Sequence, residues 1–299
     1  MPVDHQTAVA GAWNSRIGPA KIKNKFWLFP AITGHINNKL IGREIPGITS
    51  GFNRKIQAAG PFDRAVSIGC GLAGKELSIL KAECVRHFDL FELADERMAK
   101  AKESYSVAGL ADRATFNVGD AFAHARAEEY DLVYWNMSLH HMPSARQAIE
   151  WSWNALKPGG VIAMLEFVGP TRFQWTERNL TFMNRFLSAI PDRFFAVPGR
   201  PGISAGRQVK RSSIKEMVDH DPSEAADSGA IIPSLQTFFP QADIQMLGGA
   251  IYHFGLKPIL PNIDEQPDGA AFLNSALLLD DALSVMGENH FAYCLARKT

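Results

Sequence analysis

Cysteine is scarce and scattered: Cys70, Cys84 and Cys294 are the only three, and no two stand at a C-x-x-C spacing. That arithmetic argues against a disulfide framework or a zinc site and points to a reducing compartment, with no metal expected. Long apolar runs are missing as well. No stretch approaches the ~20 residues of a membrane span, and "MPVDHQTAVAGAW" has an early acid and no signal-peptide core, so a cytoplasmic location is expected. Net charge is also absent. Lys+Arg and Asp+Glu both number 31, which removes the global basic field that would point to nucleic acid or an anionic membrane. Repeats and low-complexity segments do not occur.

What is present is a globular composition, 46% hydrophobic and 21% charged over 299 residues. A chain of this length can bury a substantial core as one α/β domain with insertions or with a small accessory lobe. From residue 64 to 169, short apolar runs alternate with helical patterns. "RAVSIGC" (64–70), "RHFDLFEL" (86–93), "RATFNVGD" (113–120), "YDLVYWNM" (130–137) and "VIAMLEFVG" (161–169) read as strands. Between them, 72–83, 95–109 and 144–156 read as helices, and "KPGG" (157–160) as a turn. Strands separated by helices of this length make a doubly wound α/β sheet.

The flanks differ. Residues 1–60 hold eight Lys/Arg, Arg16 through Lys55, against Asp4 and Glu44, and suit short helices forming a lid over the core. Residues 170–230 carry Pro170, Pro191, Pro198, Pro201 and Pro222, too irregular for a core strand, and read as a substrate-side insertion with a helix near 175–190. Asp221, Pro222 and Glu224 fit the N-cap, first and third positions of a capping box, so a helix is expected from there. A sixth strand (242–249), an apolar helix (270–287) and a last strand (290–298) close the chain. The expected division is a lid at 1–60, a cofactor-binding core at 61–169, the insertion at 170–230, and completion of the sheet at 231–299.

The turn in "AVSIGCGLAGKEL" (65–77) carries Gly69, Gly71 and Gly74 at G-x-G-x-x-G spacing between strand and helix. Such a turn lets a ligand approach the backbone and offers it free N–H groups of a helix N-terminus. The literal spacing favours the pyrophosphate of a nicotinamide dinucleotide over a nucleoside cofactor without one, but taken alone it is a weak signal. Glu92, about 20 residues on, supplies the acid that either ribose would need.

The order "IGCG", "FELADERMAKAK", "GDAF", "LHHM", "LKPGG" resembles the class I S-adenosylmethionine-dependent methyltransferases, closely over about 60–170 and more loosely to 298. That resemblance implies a seven-stranded Rossmann-like methyltransferase sheet with strand seven antiparallel between strands five and six, and S-adenosyl-L-methionine as cofactor. It further implies that Gly69 and Gly71 line the methionine end, Glu92 holds the ribose hydroxyls, and Leu93 covers the adenine. Asp120 and Ala121 would hold the adenine edge, with Asn136 and Met137 beneath the cofactor. Ser67 stands where the family usually has an acid, and Ala73 where a third glycine often occurs. For Glu92 a solvated acid, and for Asp120 a helix cap, are the competing readings.

The activity implied is methyl transfer to a small-molecule or glycan acceptor, the basic flanks making an anionic one an option. His141 and Glu166 are the candidate catalytic residues, with Tyr252 and His253 as further candidates for a base. The alternatives are an NAD(P)-dependent oxidoreductase, which would need a Tyr-x-x-x-Lys pair that the expected region lacks, and a non-catalytic S-adenosylmethionine-binding protein. An N-P-P-Y-like tetrapeptide, which would point to nucleic acid, is replaced by "NMSL" (136–139). Sequence says nothing about oligomeric state.

Overall fold

The computed structural model describes residues 3–15, 25–124, 127–200 and 202–299; Arg16, Lys21, Lys23 and Pro201 of the segments discussed above lie outside them. Three helices lead in: α1 (Val3–Asn14), α2 (Pro30–Ile41) and α3 (Ser50–Ala59). Pro30 occupies the first turn of α2, where no N–H is needed, and Gly42 ends it in the left-handed conformation at φ 68°. Then the alternation begins: β1 (Phe62–Ile68), α4 (Gly74–Lys81), β2 (Val85–Glu92), α5 (Asp95–Val107), β3 (Ala114–Val118), β4 (Tyr130–Asn136), α6 (Ala145–Ala155) and β5 (Leu156–Phe167). After it come α7 (Glu177–Ala189), α8 (Ile214–His220), α9 (Ile231–Phe238), β6 (Asp243–Gly249), α10 (Leu260–Ile263), α11 (Gly269–Val285) and β7 (Asn289–Arg297).

Seven strands form one sheet in the order β3-β2-β1-β4-β5-β7-β6. β1 to β5 run parallel, and β7 lies antiparallel between β5 and β6, as the family resemblance implies. Successive side chains of a strand feed opposite faces. Leu132 and Tyr134 enter one apolar cluster while Val133 and Trp135 enter the other, so both faces are dry and the strands read as nearly unbroken apolar runs. Burying Trp135 requires a partner for its indole N–H, and Ser152 of α6 supplies one at 3.0 Å. The order of the sheet reverses between β1 and β4, and that is where a ligand crevice opens at the carboxyl ends of the strands.

Two expectations are corrected. "KPGG" is not a turn ahead of the strand but part of β5, which pairs from Leu156 with an irregularity before Val161 and stops at Phe167. Gly159 takes φ 77°, and its N–H donates to the Lys298 carbonyl while the Lys298 N–H donates to the Gly160 carbonyl, so the residues after β7 tie the stretch into the sheet. The capping box at Asp221 does not start a helix either: Asp221 follows the end of α8, and 221–227 is a chain of turns. Asp221 does accept the Ser223 N–H, as a cap would, at 2.9 Å. Tertiary bonds then divert the chain: Arg172 takes the carbonyls of Pro222 and Glu224, and Ala225 adopts φ 48°. The box that forms is Ser213 with Glu216, ahead of α8.

Tyr252 and His253 also take another place. They lie in a π-helical turn (Ala250–Gly255) packed on β7, with the Tyr252 hydroxyl donating to the Leu247 carbonyl and His253 Nδ1 3.3 Å from His290 Nδ1. Phe26, Phe167 and Phe291 ring His253. Burial holds both imidazoles below their ordinary value of 6.5, His290 at about 3, and His290 further disfavours the charge of His253. Because these groups fold neutral, stability is full above pH 6.5 and drains away as pH falls toward about 3. The melting temperature is therefore expected to drop on acidification through this window, and less steeply in His290→Asn. An identical acid limb in that variant would refute the assignment.

Candidate active site

A cavity of about 440 Å³ opens at the sheet's reversal point, lined by Gly69, Gly71, Glu92, Leu93, Asp120, Ala121, Met137 and His141 among others. Seven of the eight residues expected to bind cofactor thus meet there. The turn after β1 makes the floor: Gly69 at φ 67° and Gly71 at φ 59° are left-handed, which glycine adopts without strain. Ala73 is left-handed too, at φ 49°, as the N-cap of α4. That geometry is why a glycine suits the position; alanine here carries the strain, held by the close packing around it.

Glu92 ends β2 with both oxygens turned onto backbone. Oε2 accepts the Gly71 N–H at 2.8 Å and Oε1 the Ala94 N–H at 3.0 Å, so the carboxylate ties the glycine turn to the next loop and keeps lone pairs for a ligand. Asp120 serves twice as well. Its Oδ1 caps the turn at Ala121 by accepting from Phe122 N at 3.0 Å, and Oδ2 accepts from Gln6 Nε2 of α1 at 3.1 Å. Cap and ligand-facing acid are therefore compatible at this residue. Met137, directly after β4, has φ 58°, an uncommon strain in a residue with a side chain, and its N–H is held by the Leu165 carbonyl at 2.9 Å.

Asn136 is the exception. Its side-chain amide turns into the core and donates to the Tyr134 hydroxyl at 2.6 Å, while its backbone carbonyl accepts from Lys75 Nζ at 2.5 Å. Lys75 lines the cavity, and burial holds its ammonium below the ordinary lysine range, against the pull of Glu76 and Glu166. Ser67 does not reach the cavity. Its hydroxyl donates to Glu76 Oε1 at 2.7 Å, so the acid missing from β1 is present on α4, pointing away from the ligand side. Burial pushes the Glu76 carboxyl up, and burial with nearby Glu76 and Glu92 keeps the Cys70 thiol protonated beside the cavity.

The two candidate catalytic residues separate. His141 is in the cavity wall, edge-on to Trp13 with ring centroids 5.0 Å apart, its Nδ1 3.1 Å from Ser223 Oγ. Glu166 lies beneath, fully buried and outside the lining. Its Oε1 accepts the N–H groups of Ser138 (2.5 Å) and Leu139 (2.7 Å), and its Oε2 pairs with His140 Nδ1 at 2.6 Å. One buried carboxylate therefore shapes the whole loop that presents His141. For His140, burial opposes charge, but Glu166 and Glu224 outweigh it and raise its pKa. His140, His141 and Glu224 also bring one donor atom each within 4.8 Å of one another, the arrangement nearest to a metal centre among the described residues.

Sequence reasoning missed Val9, Trp13, Lys75, Arg97, Phe122, Ser138 and Met142 in the lining. Lys75 follows the glycine turn and could have been found from that alone. Trp13 and Arg97 could not: the guanidinium stacks 4.6 Å from the indole ring and its Nε donates to the Trp13 carbonyl, a contact across 84 residues. The basic residues of 171–216 contribute nothing to this cavity; Arg178, Arg193, Arg207, Arg211 and Lys215 pair with carboxylates elsewhere.

Residues 66–164 match the family model described as a methyltransferase domain. That third of the chain is a methyltransferase domain of the class I, S-adenosylmethionine-dependent kind. One relative of this methyltransferase chain is the 27-O-demethylrifamycin SV methyltransferase of Amycolatopsis mediterranei (strain S699), 28% identical over 107 residues, which are 36% of this chain and 39% of that protein. The chain thus spans under half the length of that relative. Among solved structures, geranyl diphosphate C-methyltransferase from Streptomyces coelicolor A3(2), in complex with Mg²⁺, geranyl diphosphate and S-adenosyl-L-homocysteine, is similar in fold: TM-score 0.55, 13% identity, all of both chains covered. A phosphoethanolamine N-methyltransferase of Haemonchus contortus, in complex with S-adenosyl-L-methionine, has a TM-score of 0.51 at 17% identity, over 89% of this chain and 57% of that one. The family's cofactor is S-adenosyl-L-methionine, and the left-handed glycines with two carboxylates around one nucleoside-sized cavity fit it. No described helix is long and apolar enough to cross a membrane.

Proposed function

We propose that this chain transfers the methyl group of S-adenosyl-L-methionine to a small-molecule or glycan acceptor. The observation that carries this reading is the single cavity in which Glu92 and Asp120 face the left-handed glycine turn, with His141 in the wall. Glu92 would accept from the ribose hydroxyls. Asp120 and Ala121 would take the adenine edge, and Leu93, Phe122 and Met142 its faces. Gly69 and Gly71 would admit the methionine end, where the Lys75 ammonium can pair with its carboxylate. When bound, the cofactor supplies an electrophilic methyl on a good leaving group.

The chain's own task is then alignment. Holding the acceptor in line contributes on the order of 7–11 kcal/mol, and a base adds ~10²–10⁴-fold if the acceptor is a hydroxyl. His141 is positioned to act as that base, while Glu166 is a positioning residue that acts through the 138–140 loop. Residues 1–60 would form the lid, since α1 already contributes Val9 and Trp13 to the lining. Residues 170–230 would stand on the acceptor side through the 221–226 turns, and the remainder completes the core in a cytoplasmic enzyme. One relative is a 27-O-demethylrifamycin SV methyltransferase, a name that agrees with a hydroxyl acceptor.

The test is transfer of labelled methyl from S-adenosyl-L-methionine into a small-molecule extract by the purified chain, with S-adenosylhomocysteine binding measured alongside. Label in extractable product, suppressed by S-adenosylhomocysteine, is expected. Binding without transfer over broad acceptor panels would favour the non-catalytic alternative, and absence of binding would remove the reading.

A further inference from the structure

The turns at 221–227, where sequence alone expected a helix, pack against the loop that carries His141. Ala226 N–H donates to the His140 carbonyl at 2.9 Å, and the Asp227 carboxylate accepts the Ala145 N–H at 2.8 Å. From the other side Arg172 grips the carbonyls of Pro222 and Glu224 at 2.8 and 3.0 Å. Segments from two distant parts of the chain are thus clamped in register. Between them, Asp221 and Ser223 are each only 1% exposed; the Ser223 hydroxyl reaches His141 and the Asp221 carboxylate reaches Ser223.

Proton counting decides what this arrangement does. Ser223 has one hydroxyl proton and three neighbours: Asp221 Oδ1 at 2.7 Å, His141 Nδ1 at 3.1 Å and, farther off, the Trp13 indole N–H. A carboxylate oxygen can only accept, so the hydroxyl proton goes to Asp221. Ser223 Oγ must then accept from His141, which requires the proton of the neutral ring to sit on Nδ1. The Trp13 indole N–H, 3.5 Å from the same Oγ, approaches in the same sense and reinforces its role as acceptor.

We propose that Asp221 and Ser223 are positioning residues that fix His141 in its Nδ1–H form, leaving Nε2 with the lone pair. The tautomer of an imidazole is set by the hydrogen bond its other nitrogen makes, so the relay Asp221–Ser223–His141 defines which nitrogen can take a proton. When Nε2 is protonated, the ring's charge is met through Ser223 by the Asp221 carboxylate. Among the described residues, Arg172 acts on Asp221, the ring of His140 lies with its centroid 4.1 Å from that of His141, and Glu224 stands opposite His140. Use of Nε2 as the base of methyl transfer rests on the function proposed above; the tautomer itself does not.

The experiment is side-chain ¹⁵N–¹H correlation NMR of the ¹⁵N-labelled full chain, with His141 identified by its loss in His141→Asn. A neutral His141 protonated on Nδ1 is expected in the wild type, with loss of that form in Ser223→Ala, which deletes the acceptor, and in Asp221→Asn, whose amide can donate to Ser223 and reverse the relay. The His141 titration midpoint is expected to fall in both. S-adenosylhomocysteine affinity of Ser223→Ala is expected to stay within about twofold, since neither relay residue lines the cofactor cavity. A wild-type ring protonated on Nε2, or a tautomer unchanged in well-folded Ser223→Ala, overturns the proposal. Failure of the wild type to bind S-adenosylhomocysteine would instead count against the methyltransferase function and leave the tautomer result standing.

Discussion

Glu166→Ala is expected to lower stability by about 3–5 kcal/mol, the usual cost of removing one partner from a buried ion pair. Its carboxylate holds three donors: the backbone N–H groups of Ser138 and Leu139 and the ring nitrogen of His140. Removing it strands two buried N–H groups and leaves a protonated histidine without its nearest counter-charge. Each stranded donor alone costs ~1–3 kcal/mol. Glu166→Gln keeps the volume and one acceptor oxygen, and is expected to recover part of the loss. Chemical denaturation of the three proteins measures this, and a Glu166→Ala variant within 1 kcal/mol of wild type, an interval of about that size being easily resolved, would remove Glu166 from its supporting role. The same measurement probes His140. Its raised pKa means that its charge stabilises the fold at pH values below its ordinary 6.5 and that this contribution is lost as pH rises through the raised value. Glu166→Ala should therefore destabilise more at pH 6 than at pH 9.

The second large effect is on cofactor binding. Glu92→Ala removes a carboxylate that organises Gly71 and Ala94 and that would accept from two ribose hydroxyls. Hydrogen bonds to a charged group contribute ~1.5–3 kcal/mol each, so a loss of at least ~100-fold in affinity for S-adenosylhomocysteine is expected. Asp120→Ala should lose less, roughly tenfold, because Ala121 and the apolar walls still hold the base. Calorimetric titration of each variant decides. Wild-type affinity in both would sink the placement of the nucleoside in this cavity.

How much of this was legible beforehand differs by kind of feature. The strand and helix alternation, the glycine turn, Glu92 and Asp120 were readable because each is a local pattern: apolar period, turn chemistry, an acid at a strand end. Local chemistry also misled. Asp221-Pro222-x-Glu224 is a sound capping box in isolation, yet Arg172 and the His140 carbonyl outcompete the helix there. Asn136 stands at the end of β4, but side chains alternate across a strand and its neighbour Met137 is the one that lines the cavity. Glu166 was chosen for being an acid near the site, and the direction of its side chain, toward the loop rather than the cavity, is not encoded in spacing.

The sequence by itself determined the fold class, the glycine turn and the two carboxylates of the cavity, because these depend on contacts between residues close in the chain or on a period that any window reveals. Tertiary structure alone decided that Trp13 and Arg97 wall the cavity, that Glu166 braces a loop, and that Asp221 and Ser223 reach His141. Those relations join residues 26 to 84 positions apart, and only the folded chain brings such distant groups to within a hydrogen bond of each other.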